Sequence, residues 1–255
     1  MHTLLVTHAQ CHLPAAVLQR LAIERLSDDN HFSDRLREHW LYHYDALLAL
    51  HAQPDTGWSA AVDAELPNIA SLRLAASLSA PFQVRLIESQ QRYAALGLLA
   101  VHAAERLQAG GLPDAVRTDL SRLESRLHHC LAVGPKSHWH GSLPLLQRWR
   151  MARQSALLQL GRRQPELLMH SDNLLEALFT QTDPLVPAGA HLNLSYAGPS
   201  SELRQWPIFQ RWHQHRVAQG GSCWLSEMDA SSAQACGAGA LSLAWISAPA
   251  RRETP

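Results

Sequence analysis

The stretch FQVRLIESQQRYAALGLLAVHAAERLQA, residues 82–109, is the longest part of the chain that predicts a single regular element. It is rich in Leu, Ala, Arg, Gln and Glu, and it holds no proline. These residue types have high intrinsic helix propensities, so the stretch predicts one long α-helix. Gly110 and Gly111 end this helix, because glycine readily adopts the left-handed conformation found at helix termini. The fold predicted from the rest of the sequence is built around this helix.

Further helices are predicted on both sides of this stretch. Pro113 and Asp114 suit the first turn of a second long helix, which runs to about residue 131 and forms an antiparallel hairpin with the first. Caps, first-turn prolines or apolar residues at three- and four-residue spacing predict the others, at 15–26, 34–50, 68–78, 142–160 and 165–179. Before residue 188, only residues 3–7 predict a strand.

The sequence pattern changes near residue 188. HLNLSY at 191–196 alternates apolar and polar residues, as a half-buried strand does. A helix interrupted by Pro207 is predicted at 200–218, with two more strands at 223–227 and 240–246. The predicted fold class is mainly α: a helical body with a small C-terminal β-α-β-β appendage (α+β). The predicted domains are a helical body at 1–181, a small α/β module at 188–248 and a frayed tail at 249–255.

Composition predicts a folded cytoplasmic protein. Hydrophobic residues make up 46% of the chain and charged residues 17%, which is enough apolar material for a core. The 22 basic and 22 acidic residues cancel, so no net field favours a nucleic acid or an anionic membrane. The first residues lack the features of a signal peptide, and no stretch approaches the ~18 apolar residues of a membrane span. The four scattered cysteines predict reduced thiols.

The 16 histidines make metal chemistry the first alternative to consider. His39 and His43 are one helical turn apart, and His138 and His140 flank a tryptophan. Both spacings can chelate a metal, but neither pair has a carboxylate at the offset of a zinc-binding motif. We therefore expect no metal and no cofactor. The alternative that stays open is a histidine-rich helical enzyme that depends on a metal or haem.

Catalytic and nucleotide-binding motifs are absent from the sequence. It contains no GxSxG nucleophile elbow, no GxxxxGK[ST] phosphate loop and no GxGxxG dinucleotide fingerprint. The GGSCW at 220–224 lacks the second glycine of a nucleophile elbow and precedes a predicted strand. We therefore predict no catalytic residue, and we predict that the protein is not an enzyme.

Two sets of side chains are candidate interaction residues. They are the aromatic residues Trp206, Phe209 and Trp212 and the arginines Arg148, Arg150 and Arg153. Tryptophan is frequent at interaction hot spots, although the aromatic set equally suits packing between a helix and a sheet. The arginines belong to the basic segment 148–163, which could form a positive stripe on a helix. This stripe supports a second alternative, a nucleic-acid-associated accessory subunit, but a solvated helix face that balances acidic neighbours explains the arginines better.

A family resemblance is found in residues 96–144, LGLLAVHAAERLQAGGLPDAVRTDLSRLESRLHHCLAVGPKSHWHGSLP. The segment resembles the SctK (YscK/PscK-type) sorting-platform proteins of bacterial type III secretion systems. It shares an LGL start, two helices of similar length and a signature loop with Gly134, Pro135, His138, Trp139 and Pro144. Residues 188–248 have no counterpart in that family.

The resemblance implies a function and partners. It implies a non-catalytic cytoplasmic scaffold that links the SctD-type inner-membrane ring protein to the SctQ-type pod protein. No nucleic acid and no direct membrane insertion are expected. We also expect the Trp139 indole to be packed against the helical body, because a buried ring is more stable than an exposed one.

Overall fold

The structure is a computed structural model that describes residues 2–26, 31–52, 57–78, 81–135, 137–144, 154–161 and 164–247. The chain forms two compact units. Unit 1 comprises Met1–Cys11, Ala15–Arg92 and Leu99–Arg122, and unit 2 comprises His12–Pro14, Tyr93–Leu98 and Leu123–Pro255. Each unit contains one β-sheet.

Unit 1 contains a four-stranded parallel sheet with the order β2-β1-β3-β4. Its strands are β1 (Thr3–Thr7), β2 (Ile23–Arg25), β3 (Ala46–His51) and β4 (Gln83–Glu88). Its helices are α1 (Ala15–Arg20), α2 (His31–Arg35), α3 (Leu41–His43), α4 (Trp58–Ala75), α5 (Tyr93–Gln108) and α6 (Pro113–Leu123). Unit 1 includes only the part of α5 that begins at Leu99. A π-helical turn, Leu36–Trp40, lies between α2 and α3.

The two central strands of this sheet are covered on both faces. β3, ALLALH, is buried at every position, and Leu48 lies opposite Leu5 of β1 and Arg85 of β4. Strands buried on both faces of a parallel sheet have continuous apolar sequences rather than alternating ones. The core of unit 1 joins these strands to the helices, with Trp40 and Trp58 fully buried within it.

Unit 2 contains a mixed six-stranded sheet with the order β7-β6-β5-β10-β8-β9. Its strands are β5 (Leu127–Val133), β6 (Ala156–Gln159), β7 (Glu166–His170), β8 (His191–Tyr196), β9 (Ser222–Glu227) and β10 (Leu241–Ile246). Its helices are α7 (Leu174–Thr182), α8 (Ser200–Gln205), α9 (Pro207–Ala218) and α10 (Ala230–Cys236), with 3₁₀ turns at Glu124–Arg126, His138–Ser142 and Asp183–Leu185. Neighbouring strands are antiparallel except β8 and β9, which are parallel.

Caps and aromatic packing explain the helices of unit 2. The Asn173 side chain accepts a hydrogen bond from the Glu176 N–H at 3.3 Å, which caps the first turn of α7. Phe179 of α7 packs against Trp212 of α9 with ring centres 4.7 Å apart. Both rings belong to an apolar cluster that includes Trp245 of β10, so the two helices cover the sheet.

The predicted mainly α fold class is wrong, because the structure is an α/β protein with two sheets. Seven strands precede residue 180, where the sequence predicted one. The predicted helix 82–109 is strand β4 followed by α5, and the predicted helix 34–50 ends in β3. The helices predicted at 113–131, 142–160 and 165–179 contain β5, β6 and β7, respectively. Pairing with neighbouring strands overrode the local helix propensity in each segment.

Other predicted elements are present. The strands predicted at 3–7, 191–196, 223–227 and 240–246 correspond to β1, β8, β9 and β10. The helix predicted at 200–218 is divided into α8 and α9 at Trp206, before Pro207. The division into domains at 1–181 and 188–248 stays a prediction, and the tail 249–255 lies outside the described residues. Among the described helices, none has the length and apolar character required to cross a membrane.

Candidate functional site

The carboxyl-terminal edge of the parallel sheet in unit 1 gathers polar side chains. Thr7 ends β1, His51 ends β3 and Ser89 directly follows β4. Gln91 lies two residues further on and is 5% exposed, whereas Ser89 is 1% exposed. Ligands of open α/β sheets bind outside the carboxyl ends of the strands. We therefore regard Thr7, His51, Ser89 and Gln91, called the edge cluster, as a candidate ligand site.

The loop after β4 is held by the backbone of the neighbouring strand. The Ser89 N–H and hydroxyl both donate to the His51 carbonyl oxygen, at 3.0 and 3.2 Å. The Ser89 hydroxyl oxygen accepts from the Gln91 N–H at 3.2 Å. Between them, Gln90 has a φ of +54°, a left-handed conformation that is uncommon for residues other than glycine. Such backbone strain concentrates at ligand-binding loops, which supports the choice of this edge.

Aromatic rings lie beside the edge cluster. The Trp58 ring is fully buried, with its centre 5.7 Å from that of His51 and 6.1 Å from that of His8. Phe32 stacks on Trp58 with ring centres 4.7 Å apart. The edge therefore combines hydroxyl, amide and imidazole groups with apolar ring surface, a combination typical of small-molecule sites.

The thiol of Cys11, four residues after the end of β1, is a candidate nucleophile near this edge. This thiol is fully buried, and burial raises its pKa to about 11, although a hydrogen bond with Thr7 and the charge of Arg25 act in the opposite direction. A thiol with this pKa stays protonated at neutral pH, whereas cysteine chemistry requires the thiolate. Cys11 is therefore not suited to nucleophilic catalysis.

A second polar arrangement lies in unit 2 around His12. The His12 side chain is fully buried, with Nδ1 2.6 Å from Ser195 Oγ and Nε2 2.7 Å from Asp229 Oδ2. Because an ionised carboxylate only accepts hydrogen bonds, Nε2 carries a hydrogen and donates it to Asp229. The Tyr93 ring stacks on His12 with ring centres 5.4 Å apart. We call His12, Ser195 and Asp229 the histidine network.

Asp229 is the charged member of the histidine network. Burial raises the pKa of Asp229, but hydrogen bonds from His12, Ser231 and Ser232 outweigh this effect and hold the pKa well below its ordinary value. The same carboxylate caps α10 by accepting from the Ser232 N–H at 3.0 Å. Asp229 therefore connects the start of α10 to His12.

The histidine network has the residue types of a serine hydrolase triad but not an accessible nucleophile. Ser195 is fully buried in β8, which is paired with β10 on one side and β9 on the other. A nucleophilic serine has to reach the substrate carbonyl carbon that it attacks. The network therefore lacks an accessible nucleophile, and its hydrogen bonds connect His12 to β8 and to the residue before α10.

The lowered pKa of Asp229 predicts a specific acid sensitivity. A carboxyl group with a lowered folded-state pKa stabilises the fold above its unfolded pKa of about 3.9, and this contribution is lost as the pH falls below that value. Asp229→Asn keeps a capping side chain but removes the charge. Between about pH 7 and pH 3, this variant should therefore lose less stability than the wild type in urea unfolding. Equal losses would show that the Asp229 charge does not stabilise the fold.

The candidate metal ligands do not form a complete site. In the part of the chain that the structure describes, no group of three or more His, Cys, Asp or Glu side chains could hold a metal ion. His39 and His43 do lie together, with ring centres 4.4 Å apart. Two ligands are fewer than the three or four protein ligands of zinc sites. The expectation that the protein holds no metal or cofactor stays a prediction.

The predicted signature loop follows a strand rather than a long helix. Its residues are Gly134, Pro135, His138, Trp139 and Pro144. The first two directly follow β5, and the next two begin a 3₁₀ turn. Trp139 is half-buried and packs against an apolar cluster of unit 2, with its ring centre 6.3 Å from that of Tyr93. A functional role for these residues stays a prediction.

The predicted interaction residues have different environments. Phe209 and Trp212 are 3% and 5% exposed and belong to the core of unit 2, whereas Trp206 is 37% exposed. The other three residues, Arg148, Arg150 and Arg153, lie outside the described residues. An interaction role for either set stays a prediction.

Sequence reasoning did not identify the edge cluster or the histidine network. The available signal for the edge was three apolar runs that end in polar residues: LLVTH at 4–8, LLALH at 47–51 and VRLIES at 84–89. Such runs are typical of buried parallel strands whose ends carry ligand-binding groups. The histidine network had no local signal, because His12 lies 183 and 217 residues from its two partners in sequence.

The fold is similar to that of known solved structures, although no family model and no curated protein sequence matches the chain. A DegV family protein from Corynebacterium glutamicum has a TM-score of 0.71 at 15% identity, with 98% of each chain covered. DegV from Bacillus subtilis, a fatty acid binding protein, has a TM-score of 0.68 at 15% identity, covering 96% of this chain and 99% of that one. The Fatty Acid Kinase (Fak) B3 protein of Streptococcus pneumoniae, loaded with linoleic acid, has a TM-score of 0.66 at 10% identity, covering 96% and 99%. At these identities the likeness shows a DegV-like fold and nothing more.

The DegV-like fold corrects the type III secretion interpretation. The resemblance of residues 96–144 to SctK proteins is wrong, because the match to a two-sheet fold extends over nearly the whole chain. Its second long helix is α6 followed by strand β5. The scaffold function and the SctD-type and SctQ-type partners are therefore wrong. The two alternatives are wrong as well. The helical metal- or haem-dependent enzyme presupposed a helical body, and the nucleic-acid-associated subunit presupposed a helix over residues 148–163, of which 156–159 form strand β6.

Proposed function

We propose that the protein binds a long-chain fatty acid and holds it without chemical change. The observation that carries this proposal is the likeness to DegV-fold structures over 96–98% of the chain. Among them, the B. subtilis protein is a fatty acid binding protein, and the S. pneumoniae protein was solved with linoleic acid. Because one fold can host unrelated functions, the proposal also needs a suitable site in this chain.

The edge cluster of unit 1 offers hydrogen-bond donors for a carboxylate. Ser89 has a hydroxyl group and Gln91 a side-chain amide, and Thr7 adds a second, fully buried hydroxyl. Hydrogen bonds are stronger in such buried surroundings than in water. The Ser89 hydroxyl donates to the His51 carbonyl oxygen over a long 3.2 Å, so rotation could exchange this bond for a shorter one to a carboxylate. We therefore propose that Ser89 and Gln91 bind the fatty acid head group.

The proposal makes the protein a carrier rather than an enzyme, and it places the protein in the cytoplasm. The role as a carrier is supported by the environments of two candidate nucleophiles. Ser195 is buried within a sheet, and the Cys11 thiol is protonated, so neither is suited to attack a substrate. The cytoplasmic location is supported by the cysteines, all four of which are free thiols. Free thiols are typical of reducing compartments.

Lipid extraction tests the proposal directly. Protein purified without detergent is extracted with organic solvent, and the extract is analysed by mass spectrometry, where we expect close to one equivalent of long-chain fatty acid. The delipidated protein is then titrated with a fluorescent fatty acid, using the fatty alcohol of equal chain length as the matched control. The alcohol should bind more weakly, because it lacks the carboxylate that the donors recognise. Absence of both co-purified fatty acid and saturable binding would refute the proposal.

Ser89→Ala should weaken fatty acid binding about tenfold, because a hydrogen bond to a charged group contributes about 1.5 kcal/mol. The matched control is Ser71→Ala, an exposed serine on α4 of the same unit, which should leave the affinity unchanged. Titration of both delipidated variants measures the effect, and urea unfolding confirms that each variant is folded. A folded Ser89→Ala variant with wild-type affinity would place the carboxylate elsewhere.

A further inference from the structure

An open groove on unit 2 lies between the end of α7 and helix α9. Its volume is about 410 Å³, and its apolar lining consists of Phe179, Pro184, Ile208 and Trp212. Phe179 and Trp212 are nearly fully buried in the core, whereas Ile208 is half-buried. The groove, called the α7–α9 groove, therefore presents mainly the aliphatic surface of Ile208 and Pro184, above two rings that belong to the core of unit 2.

The charged groups of the α7–α9 groove leave a net positive charge. Asp183 accepts a hydrogen bond from the buried Arg216 side chain, with Nε 3.0 Å from Oδ1, so its charge is neutralised. His215 also approaches Asp183, with Nδ1 3.5 Å from Oδ2. Arg211 lines the groove and is exposed, and no residue that the structure describes forms an ion pair or hydrogen bond with its guanidinium group. Arg211 is therefore available to an anionic partner.

The elements beside the groove add further apolar surface and further basic residues. Trp206, immediately before α9, is 37% exposed, and Leu185, immediately after Pro184, is 62% exposed. The sequence of α9, PIFQRWHQHRVA, contains arginine and histidine but no acidic residue. Exposed tryptophan and arginine are the residue types most enriched at binding hot spots. The groove and its surroundings therefore combine apolar and cationic surface without an opposing acidic set on α9.

We propose that the α7–α9 groove binds an acidic amphipathic helix of a protein partner. The apolar side chains of that helix would lie in the groove, and one of its carboxylates would pair with Arg211, which matches positive surface with negative charge. An open groove is poorly suited to a small molecule, because ligand pockets enclose about 70–90% of their ligand. A helix instead binds an open groove through apolar side chains at three- and four-residue spacing.

Synthetic peptides test the charge and the pattern of the partner separately. The probe is a fluorescently labelled helical peptide with leucine at three- and four-residue spacing and glutamate at the flanking positions. One comparison peptide replaces every glutamate by lysine, and the other keeps the composition but scrambles the order. In anisotropy titrations with the full chain, we expect micromolar affinity for the acidic amphipathic peptide and at least tenfold weaker binding of the other two. Equal affinities, or no binding of the acidic peptide, would overturn the proposal.

Variants of the protein locate the binding surface. Arg211→Glu should weaken binding of the acidic peptide at least tenfold, and Trp206→Ala should weaken it as well. The matched control is Arg117→Glu, which reverses an exposed arginine on α6 of unit 1 and should have no effect. An excess of long-chain fatty acid should not displace the peptide. Displacement would show that the groove is a lipid site, and an unchanged affinity of the Arg211→Glu variant would show that the peptide binds elsewhere; either result overturns the proposal.

Discussion

His12→Ala is expected to lower the free energy of unfolding by about 3 kcal/mol, because it removes a hydrogen bond to a charged group, worth about 1.5–3 kcal/mol, and leaves a cavity where the buried ring lay. The imidazole is fully buried and contacts Ser195 Oγ at 2.6 Å and Asp229 Oδ2 at 2.7 Å. Alanine would leave the Asp229 carboxylate without its imidazole donor. The loss should not exceed this value, because the Asp229 side chain is 29% exposed and water can replace part of the lost hydrogen bond. Urea unfolding followed by circular dichroism measures the change.

Two comparisons assign this effect to the histidine network. His138→Ala removes an exposed histidine from the same unit and should change the stability by less than about 0.5 kcal/mol. In a double-mutant cycle, Asp229→Ala should cost less in the His12→Ala background than in the wild type, because the hydrogen bond to His12 is already lost and only the cap of α10 remains to be removed. Additive effects, or a His12→Ala loss as small as that of the control, would show that the network does not stabilise the fold.

The prediction of one helix over residues 82–109 was wrong at its first residues, because the sequence carries no sign of the boundary between a strand and a helix. Residues 83–88 include good helix formers, yet they form β4 by pairing with β3 over six positions. No glycine or proline separates β4 from α5. Instead, Gln90 and Tyr93 make the turn with φ values of +54° and +55°, which residue type does not predict. The α5 part of the prediction was sound because no such pairing competes there.

Buried strands were missed for a different reason. β3, ALLALH, is buried on both faces, so it lacks the alternation that identifies a half-buried strand. A short run of leucine and alanine of this kind also fits a buried helix, and periodicity cannot distinguish the two. The surrounding parallel strands decide the outcome, and they lie far away in the sequence.

The strand prediction for β8 was correct, but the predicted environment of its polar residues was wrong. The alternation in HLNLSY predicted a polar face exposed to water, but Asn193 and Ser195 are fully buried. Their polar groups instead bind other parts of unit 2: Ser195 contacts the His12 ring, and the Asn193 amide donates to the His12 and Ala94 carbonyl oxygens at 2.9 and 2.8 Å. The polar positions of the alternating pattern therefore include Ser195, a member of the histidine network. Only the tertiary structure shows which polar strand residues face protein and which face water.

Gly97→Ala is expected to lower the free energy of unfolding by about 3 kcal/mol, the upper end for adding a methyl group to a packed core. A Cβ atom at position 97 would lie 2.5 Å from both Asn193 Nδ2 and the His12 carbonyl oxygen. These two atoms are joined by a hydrogen bond, so the new methyl group would push apart a donor and its acceptor. Neither can easily move, because one belongs to the backbone and the other also donates to the Ala94 carbonyl oxygen.

Helix propensity alone predicts the opposite sign for Gly97→Ala, which makes its test decisive. Glycine inside a helix is about 1 kcal/mol less favourable than alanine, and Gly97 lies within α5, so a weakly packed site would be stabilised. The matched control is Gly134→Ala, whose Cβ would meet nothing within 4 Å. It should stay within about 0.5 kcal/mol of the wild type in urea unfolding. A Gly97→Ala variant as stable as this control would show that α5 and β8 are not in close contact at Asn193. A large loss would instead show that the glycine of the LGL sequence is required by packing against the residues that hold His12.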